Sequence, residues 1–205
     1  MKLKSDQRRQ QILAVTVECF VKRGFHQTTL QDISRAANIS PALIYKHFES
    51  KEVLIKALIE SHEAEWMARF DSTRETGDFM SVLKWLFEIE PEEVASVKNE
   101  SVILLEVLAE ALRNKEIADV VRHDDAVLSG GLTELIKAEQ TAGEIDESLP
   151  AAEVAEILLA LSDGLMLRLA LADDNEAGKQ EKLIQTLKIL CVRFLGLPSG
   201  EERKL

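Results

Sequence analysis

Residues 28–51 read TTLQDISRAANISPALIYKHFESK, and this stretch decides the fold. Thr28 or Thr29 caps a first short helix, with Gln31 or Asp32 at the capping-box position. Ile33, Ala36 and Ala37 form the apolar side of that helix, and Asn38 takes the left-handed conformation that ends it. Ser40 then caps a second helix. Pro41 stands at its first position, where a missing N–H costs nothing. Ser50 caps a third. Two short helices joined by so tight a turn predict a helix-turn-helix, the unit that lays its second helix in the DNA major groove.

Working outward, the pattern stays helical. Ile12, Leu13, Val17, Phe20 and Val21 form one stripe of a helix over about 5–23, closed by Gly24, with Phe25 packing back on it. A long helix follows Ser50 and reaches about Glu75, with Leu54, Leu58, His62, Trp66 and Phe70 along one side. Further helices are expected over 79–90 (stopped by Pro91), 92–114, 115–142, 150–172 and 180–195. Gly130-Gly131 interrupts the character of the 115–142 helix. Residues 173–179 form a loop, and the last residues form a frayed tail. Because 150–172 is apolar nearly all round, it is expected to be buried on most sides. No run of β-branched residues with period two occurs, so the fold class is all-α with about nine helices. The expected domains are 1–50, the three-helix head, and 51–205, a helical bundle.

Charge divides the same way. The net charge of −11 argues against nucleic acid until it is mapped: residues 1–60 carry ten Lys/Arg against six Asp/Glu, and the remainder is strongly acidic. A basic head on an acidic body points to DNA at one end and another role at the other. Cys19 and Cys191 lie far apart on apolar helical faces and read as buried structural thiols. The N-terminal MKLKSDQRRQQ has no apolar core, and no apolar stretch reaches the ~18 residues of a membrane span. The expected location is the cytoplasm.

The segment TTLQDISRAANISPALIYKHFESKEVLIKAL resembles the DNA-binding domain of TetR-family transcriptional repressors. The likeness rests on Thr29, Ile33, Ala36, Ala37, Ile39, Ser40, Ile44, Tyr45, His47, Phe48, Lys51, Glu52 and Leu54. Asn38 and Ala42 stand where the family often has Gly; Asn38 keeps the left-handed turn possible, and Ala42 stiffens the second helix of the motif. The likeness covers about residues 8–60. Beyond that it is architectural: helix number and length, the AGEID turn and Asp163-Gly164 in an apolar helix.

Ile44 and Phe48 are four apart and face inward. That leaves the start of the recognition helix, Ser40, Pro41, Ala42 and Leu43, together with Lys46 and part of Tyr45, toward DNA. Ala42 and Leu43 suit thymine methyls, and Lys46 suits guanine or phosphate. The resemblance implies that Tyr45, His47, Thr29 and Lys51 grip phosphates and that Gln31 reaches a base. Phosphate contacts set register and the recognition helix sets sequence.

One such head makes few contacts, so two copies on two half-sites are expected, as a homodimer on a palindromic operator. Gly164, Leu183, Leu187, Leu190 and Phe194 are the candidate dimer residues, forming a four-helix bundle across a twofold axis. A small-molecule effector pocket is expected within the body, with candidates His62, Trp66, Phe70, Phe79, Leu83, Trp85, Phe87, Leu104, Leu108, Asp124 and Met166. Asp124 interrupts the stripe Ile117–Val121–Asp124–Leu128–Leu135, where a carboxylate is costly unless paired. Two readings stand: it lines a pocket with His62 for a cationic or hydrogen-bonding ligand, or it makes a salt bridge. Glu106, Glu110 and Arg113 share a face that reads as solvated or ion-paired.

The expected function is therefore a repressor released from its operator by a small molecule. The alternative is a ligand-independent DNA-binding protein with an architectural or complex-forming role. No Gly-rich phosphate loop, GxSxG, HExxH or CxxC is present, and the four His are scattered, so no enzyme, cofactor or metal is expected.

Overall fold

A computed structural model of the chain describes residues 2–87, 94–172 and 177–197. Among the described residues there are nine helices and no strand: α1 Lys2–Gln27, α2 Leu30–Ala36, α3 Pro41–His47, α4 Lys51–Thr76, α5 Phe79–Phe87, α6 Val94–Ala111, α7 Lys115–Ala142, α8 Ala151–Ala170 and α9 Ala177–Leu195. The chain is all-α. The expected stop at Pro91, most of the loop after α8 and the C-terminal tail lie outside the described residues.

The helices form two compact units. One holds residues up to Glu63 together with Asn99–Asp124; the other holds Ala64–Lys98 and the chain from Asp125 on. Helices α4, α6 and α7 each contribute to both. The core of the first unit is built from Ile12, Leu13, Phe20, Ile33, Ile44, Phe48, Leu54 and Ile55, closed by Val107 of α6 and Ile117 of α7. The core of the second gathers Phe70, Leu83, Phe87, Leu132, Ile136, Leu158 and Leu195.

Local chemistry sets the ends of the short helices. Thr29 is the cap of α2, and the capping box is completed by Asp32: Asp32 N–H donates to Thr29 Oγ1 (3.1 Å) and Thr29 N–H donates to Asp32 Oδ2 (3.0 Å). Asn38 has φ 53°, the left-handed turn that short polar side chains tolerate. Ser40 caps α3, accepting from Leu43 N–H, with Pro41 in its first turn. Gly24 (φ 76°) breaks α1, and the chain continues helically to Gln27 instead of stopping there.

Two expectations are corrected. Gly130-Gly131 does not interrupt α7, because the second glycine serves packing. A Cβ on Gly131 would lie 2.7 Å from Cδ2 of Phe70, whose ring occupies that space. Gly130, one residue earlier, has nothing within 4 Å. The pair predicts opposite signs. Gly130→Ala should raise stability by about 0.5–1 kcal/mol through helix propensity. Gly131→Ala should lower it, because overpacking costs ~1–3 kcal/mol and outweighs that gain. Urea denaturation of both variants checks this; stabilisation by both would show that the Phe70 ring yields freely. The second correction concerns α8. It is not buried on most sides: Ile157 is 49% exposed and Leu161 38%.

Both cysteines are free thiols. Burial pushes Cys191 up to about 11, so it stays protonated and unreactive, in keeping with a packing role.

Candidate functional site

The outward face of α3 is the first candidate surface. Ile44 and Phe48 are buried, and Ser40, Pro41, Ala42, Tyr45 and Lys46 are exposed, with Leu43 and His47 half-buried. Tyr45 presents half of its surface to solvent. Thr29 and Gln31 are exposed at the start of α2. These residues offer a phenol, an ammonium, an imidazole and an amide around a short apolar patch, a set suited to phosphates and base edges.

Two of the implied phosphate donors are engaged within the fold. The Thr29 hydroxyl donates to Asp32 Oδ2 at 2.6 Å and accepts from Asp32 N–H, so its proton is committed to the cap. Those hydrogen bonds from Thr29, ahead of the Arg23 and Arg35 guanidinium groups at 3.3 and 3.1 Å, hold the Asp32 carboxyl below its ordinary value. The Lys51 ammonium donates to Phe25 O (2.8 Å) and sits 4.4 Å from the centre of the Phe25 ring. It satisfies a carbonyl at the end of α1.

That corner is held from a second side, which sequence reading missed. Phe25 N–H donates to Glu106 Oε2 of α6 at 3.0 Å, and His26 Nε2 lies 3.4 Å from Glu110 Oε2. A Cβ on Gly24 would stand 3.0 Å from Glu106 Oε1, so the glycine both turns the chain and admits the carboxylate. Glu106 and Glu110 therefore face the fold, and Glu110 is buried. Of the stripe expected to be solvated or ion-paired, only Arg113 is exposed, and Glu110 has the His26 imidazole beside it. The signal was present: a left-handed Gly24 leaves the next N–H without a helical partner, and a carboxylate supplies one.

The expected pocket residues divide between the units. In the first, His62 Nδ1 lies 3.9 Å from Oδ2 of the buried Asp124, so the odd carboxylate of α7 has an imidazole beside it. Burial holds His62 below its ordinary value, with Glu100 pulling the other way. Leu104 is half-buried, and Leu108 is 40% exposed. In the second unit Phe70, Leu83 and Phe87 are fully buried core residues. Trp66 packs edge-on against Trp85 with centroids 4.0 Å apart, and both contact Phe70. The Arg69 guanidinium lies 4.5 Å over Trp85, and Met166 is half-buried. Two surface clefts, one lined by Cys19, Arg23, Asp32 and Arg35 and the other by Gln140, Ile145, Asp146 and Gly196, include none of these residues.

Of the expected dimer residues, Leu183, Leu190 and Phe194 on α9 are exposed by 43%, 59% and 51%, and Leu187 is half-buried. A Cβ on Gly164 of α8 would meet nothing, so this glycine is an open notch. Among the described residues no helix is long and apolar enough to cross a membrane.

Comparison with known proteins points the same way. Residues 12–58 match the family profile described as bacterial regulatory proteins, tetR family. Residues 80–193 match that of the BetI-type transcriptional repressor, C-terminal. The chain is 27% identical over 170 residues to the HTH-type transcriptional regulator UidR of Escherichia coli, covering 81% of this chain and 83% of that protein. It is 27% identical over 198 residues to the HTH-type transcriptional regulator TtgR of Pseudomonas putida, covering 90% and 91%. The solved structure of Salmonella enterica GusR superposes with a TM-score of 0.73 at 26% identity, covering 92% of this chain and 95% of that one.

Proposed function

This chain belongs to the TetR family of bacterial regulatory proteins and is a DNA-binding transcriptional regulator, and from that premise we propose that it is a repressor that binds a palindromic operator as a homodimer and is released by a small-molecule effector. The observation that carries the reading is the split of the recognition helix. Ile44 and Phe48 lock α3 into the first unit, while Tyr45 and Lys46 stand in solvent with no fold to serve. Tyr45, Lys46 and His47 would engage the duplex directly. Thr29 and Lys51 would hold α2 and the α1 corner in register; the Thr29 hydroxyl would donate to phosphate only by giving up Asp32, whereas the Lys51 ammonium, with three N–H donors, would reach phosphate while keeping the Phe25 carbonyl. Gln31 and the Ser40–Leu43 turn complete the surface.

A dimer supplies the second recognition helix, about 34–36 Å away, one turn of the duplex. Its contact surface is the exposed apolar side of α8 and α9. The effector would bind in the helical body, at the aromatic cluster of Trp66, Phe70 and Trp85 or at the His62–Asp124 pair. Each includes residues of α4 (Trp66 and Phe70, or His62), a helix continuous from one unit into the other. Release requires a ligand with different affinity for two arrangements of that helix. The filled core around Phe70, Leu83 and Phe87 favours a second reading, a DNA-binding protein that takes no ligand.

Selection of random duplexes by the purified protein, with a salt titration of the best sequence, tests the proposal. A palindrome whose affinity falls steeply with salt is expected. Failure of folded protein to enrich any sequence at low salt would overturn the operator reading in favour of an architectural role. The recovered operator then serves as the probe for effectors.

A further inference from the structure

The exposed side of α8 has a symmetry of its own. At about 100° per residue, Glu153, Ile157, Ala160, Leu161, Gly164 and Arg168 fall within one strip of the helix. Glu153, Ala160 and Arg168 are exposed, as are Ile157 and Leu161, and Gly164 is an open notch. Apart from the charges at its two ends the strip is apolar or bare. Neither Glu153 nor Arg168 makes an ion pair with any described residue. The midpoint lies between Ala160 and Leu161. Glu153 and Arg168 are equidistant from it, and so are Ile157 and Gly164.

We infer that α8 packs antiparallel on α8 of a second copy of this chain, with the twofold axis passing beside Ala160 and Leu161. This rests on the reading above that two copies associate through α8 and α9, and it specifies the register. About the axis, Glu153 meets the partner's Arg168, and Ile157 seats in the notch of the partner's Gly164. Each contact occurs twice, as an isologous interface requires. Leu171, 83% exposed at the end of the helix, reaches the partner's Pro150. Charge selects this direction. A parallel arrangement sets Glu153 against the partner's Glu153 and Arg168 against the partner's Arg168, and leaves two glycines facing each other across a gap. The charged residues stand about 11 Å from the axis. A crossing near 20° keeps a glutamate and an arginine within reach at that distance. The paired ends also reject the register shifts that a purely apolar strip would permit.

Charge reversal tests the register, read by sedimentation of the full-length chain over a concentration series. Arg168→Glu and Glu153→Arg, each alone, are expected to weaken dimerisation roughly tenfold or more, because each places two like-charge pairs in the interface. Combining them restores the unmodified value to within about threefold. Both positions are exposed, so helical content measured by circular dichroism stays unchanged. A dimer indifferent to the single reversals, or one the double variant fails to restore, overturns the register and leaves the dimer standing. An unmodified protein that is monomeric at every concentration overturns the dimer itself.

Discussion

Phe48→Ala is expected to lower the stability of the first unit by about 3–5 kcal/mol, the range for deleting a fully buried aromatic ring. Phe48 is 1% exposed and ends α3, and its backbone N–H caps that helix on Ile44 O. Its ring joins the cluster of Ile12, Leu13, Ile33, Ile44 and Leu54, and Arg9 stacks its guanidinium 5.5 Å above it while reaching Glu60. Truncation therefore leaves a void in the small core that orients the recognition helix, where few neighbours can collapse inward. A loss of this size is a large share of a domain's total stability. Chemical denaturation followed by circular dichroism should show an early transition for the first unit, with the core of the second still folded. DNA binding should vanish at temperatures where most helix persists. A loss below about 1 kcal/mol would mean that the ring is not packed as described.

Lys46→Ala should have an effect of comparable size on DNA affinity and almost none on folding. Lys46 makes no hydrogen bond or ion pair with a described residue, and exposed substitutions of that kind change stability by about 0.5 kcal/mol or less. A contact to a base edge contributes ~1–3 kcal/mol, and a dimer carries two copies, so the operator complex should lose about 2–6 kcal/mol. Measuring affinity against salt distinguishes the two roles of the lysine. If it meets phosphate, the salt slope falls by about two per dimer and all sequences weaken together. If it reads a base, the slope changes less and discrimination at one symmetric pair of positions relaxes. Unchanged affinity would remove Lys46 from the interface.

What the sequence made legible was local chemistry. Thr29, Asn38, Ser40 and Pro41 specify their helix ends through groups within four residues, so α2, α3 and the turn between them could be read directly. The length of α4 was legible for the same reason, since no breaker stands between Ser50 and Gly77. Long-range pairing was not. Glu106 and Phe25 are separated by eighty-one positions, and nothing in the periodicity of α6 tells a carboxylate facing water from one facing a backbone N–H. Lys51 shows the same limit: nothing local announces that its ammonium meets the carbonyl and ring of Phe25, twenty-six positions earlier. Hydropathy misjudged α8 because an apolar helix face reads the same whether its cover lies in the same chain or in another. Gly131 looked like a breaker because a glycine's purpose is visible only once the ring of Phe70 is in place.

The clasp at the end of α1 bears on how such regulators can be recombined. The amino-terminal helices do not carry their own outer wall: Val107 and Ile117 complete the core, and Glu106 and Glu110 hold the Gly24–His26 corner. A hybrid that joins the first fifty residues to a foreign body would inherit a recognition surface without these four side chains, and with an unanswered N–H at Phe25. Retargeting by exchange is better served by transplanting residues 99–124 along with the head, or by choosing a recipient whose corresponding helix already presents a carboxylate, a β-branched residue and a second carboxylate at the positions of Glu106, Val107 and Glu110.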